Sequence, residues 1–313
     1  MNYVFYIDFA IFSIFATLIL TEIMGSILLL LLWNDSKKVV LEYVVPIWEI
    51  TGTFAVFWVV LSDFAFPSIL IPLASIFSAG LLIFLILFVA RNASISFAEF
   101  FEKKGWLDEK KLYYGYALSS ILLGLVVLVI VSTIIGGYGL NLSNYTFNFF
   151  SFASNISPWL FILGSLVTAI GFAPIFYNID KMKKMSMIFV FIGVLISMAF
   201  IFIQEKGIPR EVLIPLVLTI ALPILYNIPQ TRNVASNKAF FIAYLSITLF
   251  SLNFLVYPTA FGKLSVDSLT TNGTMANAYI IMTLTGLVLL AILLALYTSA
   301  VKKSASVLNK IQE

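Results

Sequence analysis

Glu22 and Glu49 are the residues of this chain whose type and position could do chemistry. Glu22 stands in the run LILTEIMGSILLLLL and Glu49 in VVPIWEITGTFAVFW, each a carboxyl group inside a stretch apolar enough to enter a bilayer. A charge at mid-bilayer costs at least about 2.5–3.5 kcal/mol on insertion scales, so such a group faces a protein interior, a cavity or a partner. A buried carboxyl group can take a proton from one side and release it to the other, which makes both residues proton-path candidates. The alternative is a hydrogen-bonding group that ties helices together. By position along the runs, Glu22 is expected near mid-depth and Glu49 nearer the cytoplasmic face. With no histidine and no cysteine in 313 residues, metal or haem ligation by imidazole or thiolate is excluded. No phosphate-binding loop, dinucleotide fingerprint or zinc-protease motif is present.

Such acids need helices to carry them. The chain is 61% hydrophobic and 11% charged, against about 25% charged in soluble domains. A spanning helix needs about 20 mainly apolar residues. The sequence predicts nine, at about 9–33, 43–66, 68–90, 112–137, 158–178, 185–204, 211–229, 238–260 and 277–301. The expected fold is therefore all-α, a polytopic membrane protein forming a single membrane domain over 1–313, with two helix bundles, about 1–137 and 158–313, as a subdivision. Nine spans place 15 of the 18 Lys and Arg on one side and 3 on the other. The positive-inside rule then sets the N-terminus outside and the C-terminus in the cytoplasm. The first apolar stretch is long enough to span and has no basic segment before it, so no cleavable signal peptide is expected. A net charge of +3 gives no reason to expect a nucleic-acid partner.

In this frame Arg91–Lys111 is an inner loop, either a surface linker or a short interfacial helix. Asp8 and Asp63 fall near outer span ends and Asp35 and Glu42 in an inner loop, where acids are mostly solvated and need no role. Trp48, Asn253, Tyr257 and Asn277 are candidates for helix–helix or partner contacts. The two asparagines would act through interhelical hydrogen bonds, and Tyr257, with Pro258 after it, as an interfacial helix end.

The two acidic segments together resemble subunit II of the cytochrome bd quinol oxidases. That family carries T-D-G-[FM]-D-x-G in its first helix, and this chain has Thr21, Glu22, Ile23, Met24 and Gly25. The family's P-x-W-D-G-N-x-V-W is matched by Pro46, Ile47, Trp48 and Glu49, followed here by Ile50 and Thr51. Tyr257-Pro258 and Leu269-Thr270-Thr271-Asn272 stand where the family ends its eighth helix and approaches its ninth. The resemblance implies a haem-free second subunit of a quinol:O2 oxidoreductase, not catalytic alone. Its partner would be a haem-bearing nine-helix subunit I, with membrane lipid and the quinone pool as further partners. The haems would lie on that partner, and a structural quinone or lipid is possible on this chain. The resemblance also implies a multi-pass protein of the plasma membrane that braces subunit I, with Glu22 and Glu49 on a cytoplasmic proton route. A proton-coupled secondary transporter, or an anchor or assembly subunit of another respiratory cytochrome complex, would also use such helices.

Overall fold

The computed structural model describes residues 3–101, 108–141, 143–206, 209–252, 259–260, 264–265 and 277–292. They form twelve helices: α1 Tyr3–Leu31, α2 Trp33–Ala65, α3 Pro67–Ile76, α4 Ser78–Phe100, α5 Glu109–Gly136, α6 Phe149–Ala153, α7 Ile156–Phe176, α8 Lys183–Glu205, α9 Leu213–Asn227, α10 Arg232–Ala235, α11 Lys238–Ser251 and α12 Asn277–Ile292. Two short antiparallel pairings, Leu140–Asn141 with Thr146–Phe147 and Thr259–Ala260 with Leu264–Ser265, are the strands among the described residues. Seven helical segments are long and apolar enough to cross a membrane, and α11 and α12 are shorter apolar helices. The protein is an all-α, polytopic membrane protein.

Polar caps set several helix starts. The Asp108 carboxylate accepts the Lys111 N–H at 2.8 Å and opens α5. Asn155 accepts the Ser157 N–H at 3.0 Å before α7, and Asn237 the Phe240 N–H at 3.1 Å before α11. Each cap satisfies a backbone donor that the first turn leaves free.

Three boundaries depart from the sequence reading. The inner loop expected at 34–42 is helix: one residue, Leu32, separates α1 from α2. Ser36 makes this tight corner possible, because its hydroxyl donates to the carbonyls of Leu28 (3.0 Å) and Leu32 (2.8 Å). The span expected at 68–90 is displaced. Pro67 and Pro72 confine 67–76 to a short helix, and the spanning helix runs from Ser78 to Phe100. The loop expected from Arg91 is therefore helical as far as Phe100. Arg91, Ile95 and Ala98, spaced i, i+4, i+7, are its buried residues.

α1 buries residues around its whole circumference and runs through the middle of the bundle, against α2, α5, α7 and α11. Near the lysine-rich end, Met24, Leu28, Tyr43, Tyr116, Phe176 and Tyr177 form the larger core. Near the other end, Ile11, Phe15, Leu61 and Tyr279 form the smaller one. α7 and α8 pack backbone to backbone. A Cβ on Gly193 would stand 2.7 Å from the Gly164 carbonyl oxygen, and one on Gly164 2.8 Å from that of Gly193. Small residues allow this approach, which lipid would not otherwise drive.

Candidate functional site

The geometry builds a site on Glu22, where α1, α4 and α5 meet. Glu22 is 1% exposed and Arg91, from α4, is 4% exposed. The Arg91 guanidinium donates through Nη2 to Glu22 Oε2, forming a buried ion pair. Tyr116, from α5, donates its hydroxyl to the same oxygen at 2.7 Å. The guanidinium carbon lies 5.5 Å from the Tyr116 ring centre and 5.7 Å from that of Phe88, within cation–π range. Arg91 Nη1 donates to the Asn92 side chain at 2.7 Å. A guanidinium is charged at any working pH and has five donors in a fixed fork. The pair is therefore neutral as a unit, and the position of Glu22 is set from three helices.

The residues around Glu22 in the sequence each have a contact. The Thr21 hydroxyl and Tyr43 OH lie 2.9 Å apart, joining α1 to α2. Tyr177 donates its hydroxyl to the Thr21 carbonyl at 2.9 Å. That approach needs Gly25, where a Cβ would meet the Tyr177 hydroxyl oxygen at 2.5 Å. Among the described residues, Glu22 Oε1 has no hydrogen-bond partner. Beside it lies a cavity of about 20 Å³ walled by Phe15, Phe84, Phe88, Thr51, Ser120 and Leu123. This is room for about one water molecule. Among the described residues, no group of three or more Asp and Glu is placed to hold a metal ion.

Glu49 does not join this site. Thr51 lines the Glu22 cavity, whereas Glu49 is exposed. At about 100° per residue the two side chains leave α2 about 200° apart. The depth order also differs from the expectation. α1 and α2 run antiparallel, with Thr21 opposite Tyr43 and Asp8 opposite Ser62. Glu49 therefore lies farther from the lysine-rich end than Glu22, by about seven residues or roughly 10 Å. A step from Glu49 to Glu22 would run back toward that end and round the helix.

Two acids differ from the sequence expectation in their burial or their partners. Asp8 is 8% exposed, not solvated, and its Oδ1 accepts from Ser62 at 2.8 Å and from Tyr279 of α12 at 3.3 Å. The sequence marks Glu22 but places Arg91 at the start of a loop, whereas the structure pairs the two inside the bundle. The i, i+4, i+7 spacing of Arg91, Ile95 and Ala98 is the signal that would have kept it inside a helix. Trp48 is half-buried and packs against the larger core, and Asn277 is exposed at the first residue of α12. Asn253 and Tyr257 lie outside the described residues.

No protein-family model matches the chain, and no curated protein matches it. Its structure is similar to a chain in the structure of bd oxidase from Geobacillus thermodenitrificans, with a TM-score of 0.69 and 18% sequence identity. The match covers 94% of this chain and 97% of that one. The chain thus has a bd-oxidase-like fold.

Proposed function

We propose that this chain is the haem-free second subunit of a bd-type respiratory quinol oxidase. The observation that carries this reading is fold similarity to a bd oxidase chain along nearly the full length of both chains. The absence of histidine and cysteine supports placing the haems on the partner. The complex oxidises quinol and reduces dioxygen to water, and this chain braces the haem-bearing subunit in the plasma membrane.

The two acids divide the work. Glu22, paired with Arg91, holds α1, α4 and α5 in register. Glu49, on the outward face of α2, passes protons toward the partner. Purification through a tag on this chain tests the reading. A haem-bearing membrane polypeptide is expected to co-purify, with quinol-dependent oxygen uptake that falls several-fold in Glu49→Gln. Recovery of a haem-free monomer with no such partner would end the proposal, and unchanged oxygen uptake in Glu49→Gln would end its proton-route part.

A further inference from the structure

The carboxyl group of Glu22 is answered by protein groups on one side only. Its Oε2 accepts from Arg91 and Tyr116, while its Oε1, also buried, accepts from no group among the described residues. A buried charged acceptor without a donor is costly, and native structures leave few of them. The Ser120 hydroxyl, on α5 one turn after Tyr116, is a second such group. It is buried, lies beside the Tyr116 hydroxyl, and among the described residues has no hydrogen-bond partner of normal geometry. Glu22 and Ser120 line the same cavity of about 20 Å³, and so does the buried Thr51 of α2. The Thr51 hydroxyl donates to the Ile47 carbonyl at 3.1 Å, which leaves its oxygen free to accept. Two unsatisfied buried groups and one open acceptor thus border a space that fits one water molecule. A buried water needs about two to four polar partners.

We propose that this cavity is a binding site for one ordered water molecule, which bridges Glu22, Ser120 and Thr51. The water donates to Glu22 Oε1 and to Thr51 Oγ1, and accepts the Ser120 O–H. This arrangement suits each group: a carboxylate only accepts, the serine hydroxyl has a proton to give, and the threonine proton is already placed on Ile47. Other occupants do not fit. A cation would stand against Arg91, an anion against Glu22, and an apolar molecule would leave both buried oxygens unsatisfied. Apart from Arg91, the rest of the wall is apolar, with Phe15, Phe84, Phe88 and Leu123 in it. The water therefore ties helices together at one point and does not belong to a file of polar groups. It fixes the second carboxyl oxygen of Glu22 as the guanidinium and the phenol fix the first, and it carries the site from α1, α4 and α5 to α2. None of this depends on what the partner subunit is, so it stands or falls apart from the oxidase reading.

A density map of the purified full-length protein, with any subunits that accompany it, tests the site at a resolution that shows ordered internal water. A solvent peak is expected within hydrogen-bond distance of Glu22 Oε1, Ser120 Oγ and Thr51 Oγ1. A cavity with no peak in such a map, or a side chain that reaches Oε1 directly, would overturn the proposal. Thr51→Val and Ser120→Ala, singly and together, give a second reading in the thermal midpoint. Each single change should lower the midpoint by at least about 2 °C. Both act on the same water, so the double variant should lose clearly less than the two losses added. Additive losses, or no loss in either single variant, would mean that the two hydroxyls act separately, and would refute the bridge.

Discussion

The two ends of α1 each bury one carboxyl group and satisfy it by different means. Toward the lysine-rich end, Glu22 meets a guanidinium from α4 and a tyrosine hydroxyl from α5. Toward the other end, Asp8 meets the hydroxyls of Ser62 and Tyr279, and no cation among the described residues pairs with it. Both acids join α1 to its neighbours, but only Glu22 depends on an opposite charge. A buried ion pair contributes little net stability when formed and costs much when halved. A carboxyl group held by hydroxyls can be replaced by another acceptor of the same shape at much lower cost. Burial alone therefore does not identify a proton carrier; the charge of the partner decides what the acid can do.

The sharpest way to break this comparison is to remove one half of the Glu22–Arg91 pair. Arg91→Leu leaves Glu22 buried without a cation, and Glu22→Gln leaves Arg91 without an anion. Each is expected to cost about 3–5 kcal/mol, read as a lowered thermal midpoint of the purified protein in detergent. The double variant Glu22→Leu with Arg91→Leu should recover most of that loss, because contacting residues are non-additive. Single variants that cost nothing would show that the pair does not hold these helices. Tyr116→Phe comes next. It deletes one hydrogen bond to a charged acceptor, worth about 1.5–3 kcal/mol, and leaves the ion pair in place.

Much of this site could be read from the residues, and part of it could not. Hydropathy located the long apolar helices, because membrane crossing needs length and apolarity, both of which are local properties of the chain. Thr21, Glu22 and Gly25 were marked by their motif, and each proves to have a contact, with Tyr43, Arg91 and Tyr177 in turn. Arg91 was lost because a charge after an apolar run reads as a helix end unless its partner is known, and that partner is 69 residues away. Asp8 was lost for the same reason, since Ser62 and Tyr279 come from distant segments. The orientation of Glu49 was likewise a matter of packing: its neighbour Thr51 turns inward only because α1 and α4 lie on that side.

At the end of α1 away from the lysines a small effect is expected. Asp8→Asn keeps an acceptor for Ser62 and Tyr279 and removes a charge that has no ion-pair partner among the described residues. It should change stability by less than about 1 kcal/mol, measured on the same thermal scale as Glu22→Gln. A loss as large as that of Glu22→Gln would mean that Asp8 also depends on a cation, and the contrast between the two ends of α1 would fail.

Asp108 supplies the smallest effect and a reference outside the membrane. It is exposed, and its carboxyl is held below the usual carboxylate range, chiefly by the Lys111 backbone N–H and further by the Lys111 ammonium. A lowered value in the folded chain means that the carboxylate stabilises the start of α5 above the ordinary aspartate range. That contribution is lost as the pH falls through the folded value. Asp108→Ala should therefore speed hydrogen exchange at the Lys111 amide near neutral pH. The difference from the unsubstituted protein should vanish once the pH has fallen through the folded value, below the ordinary aspartate range, where the aspartate is itself protonated. No change should reach Glu22 or Asp8, because a cap on the first turn of α5 acts only on the backbone donors of that turn. Exchange that rose along the whole of α5 would tie this cap to Tyr116 in the same helix, and the Glu22 site would then depend on a charge in water as well as on its buried partner.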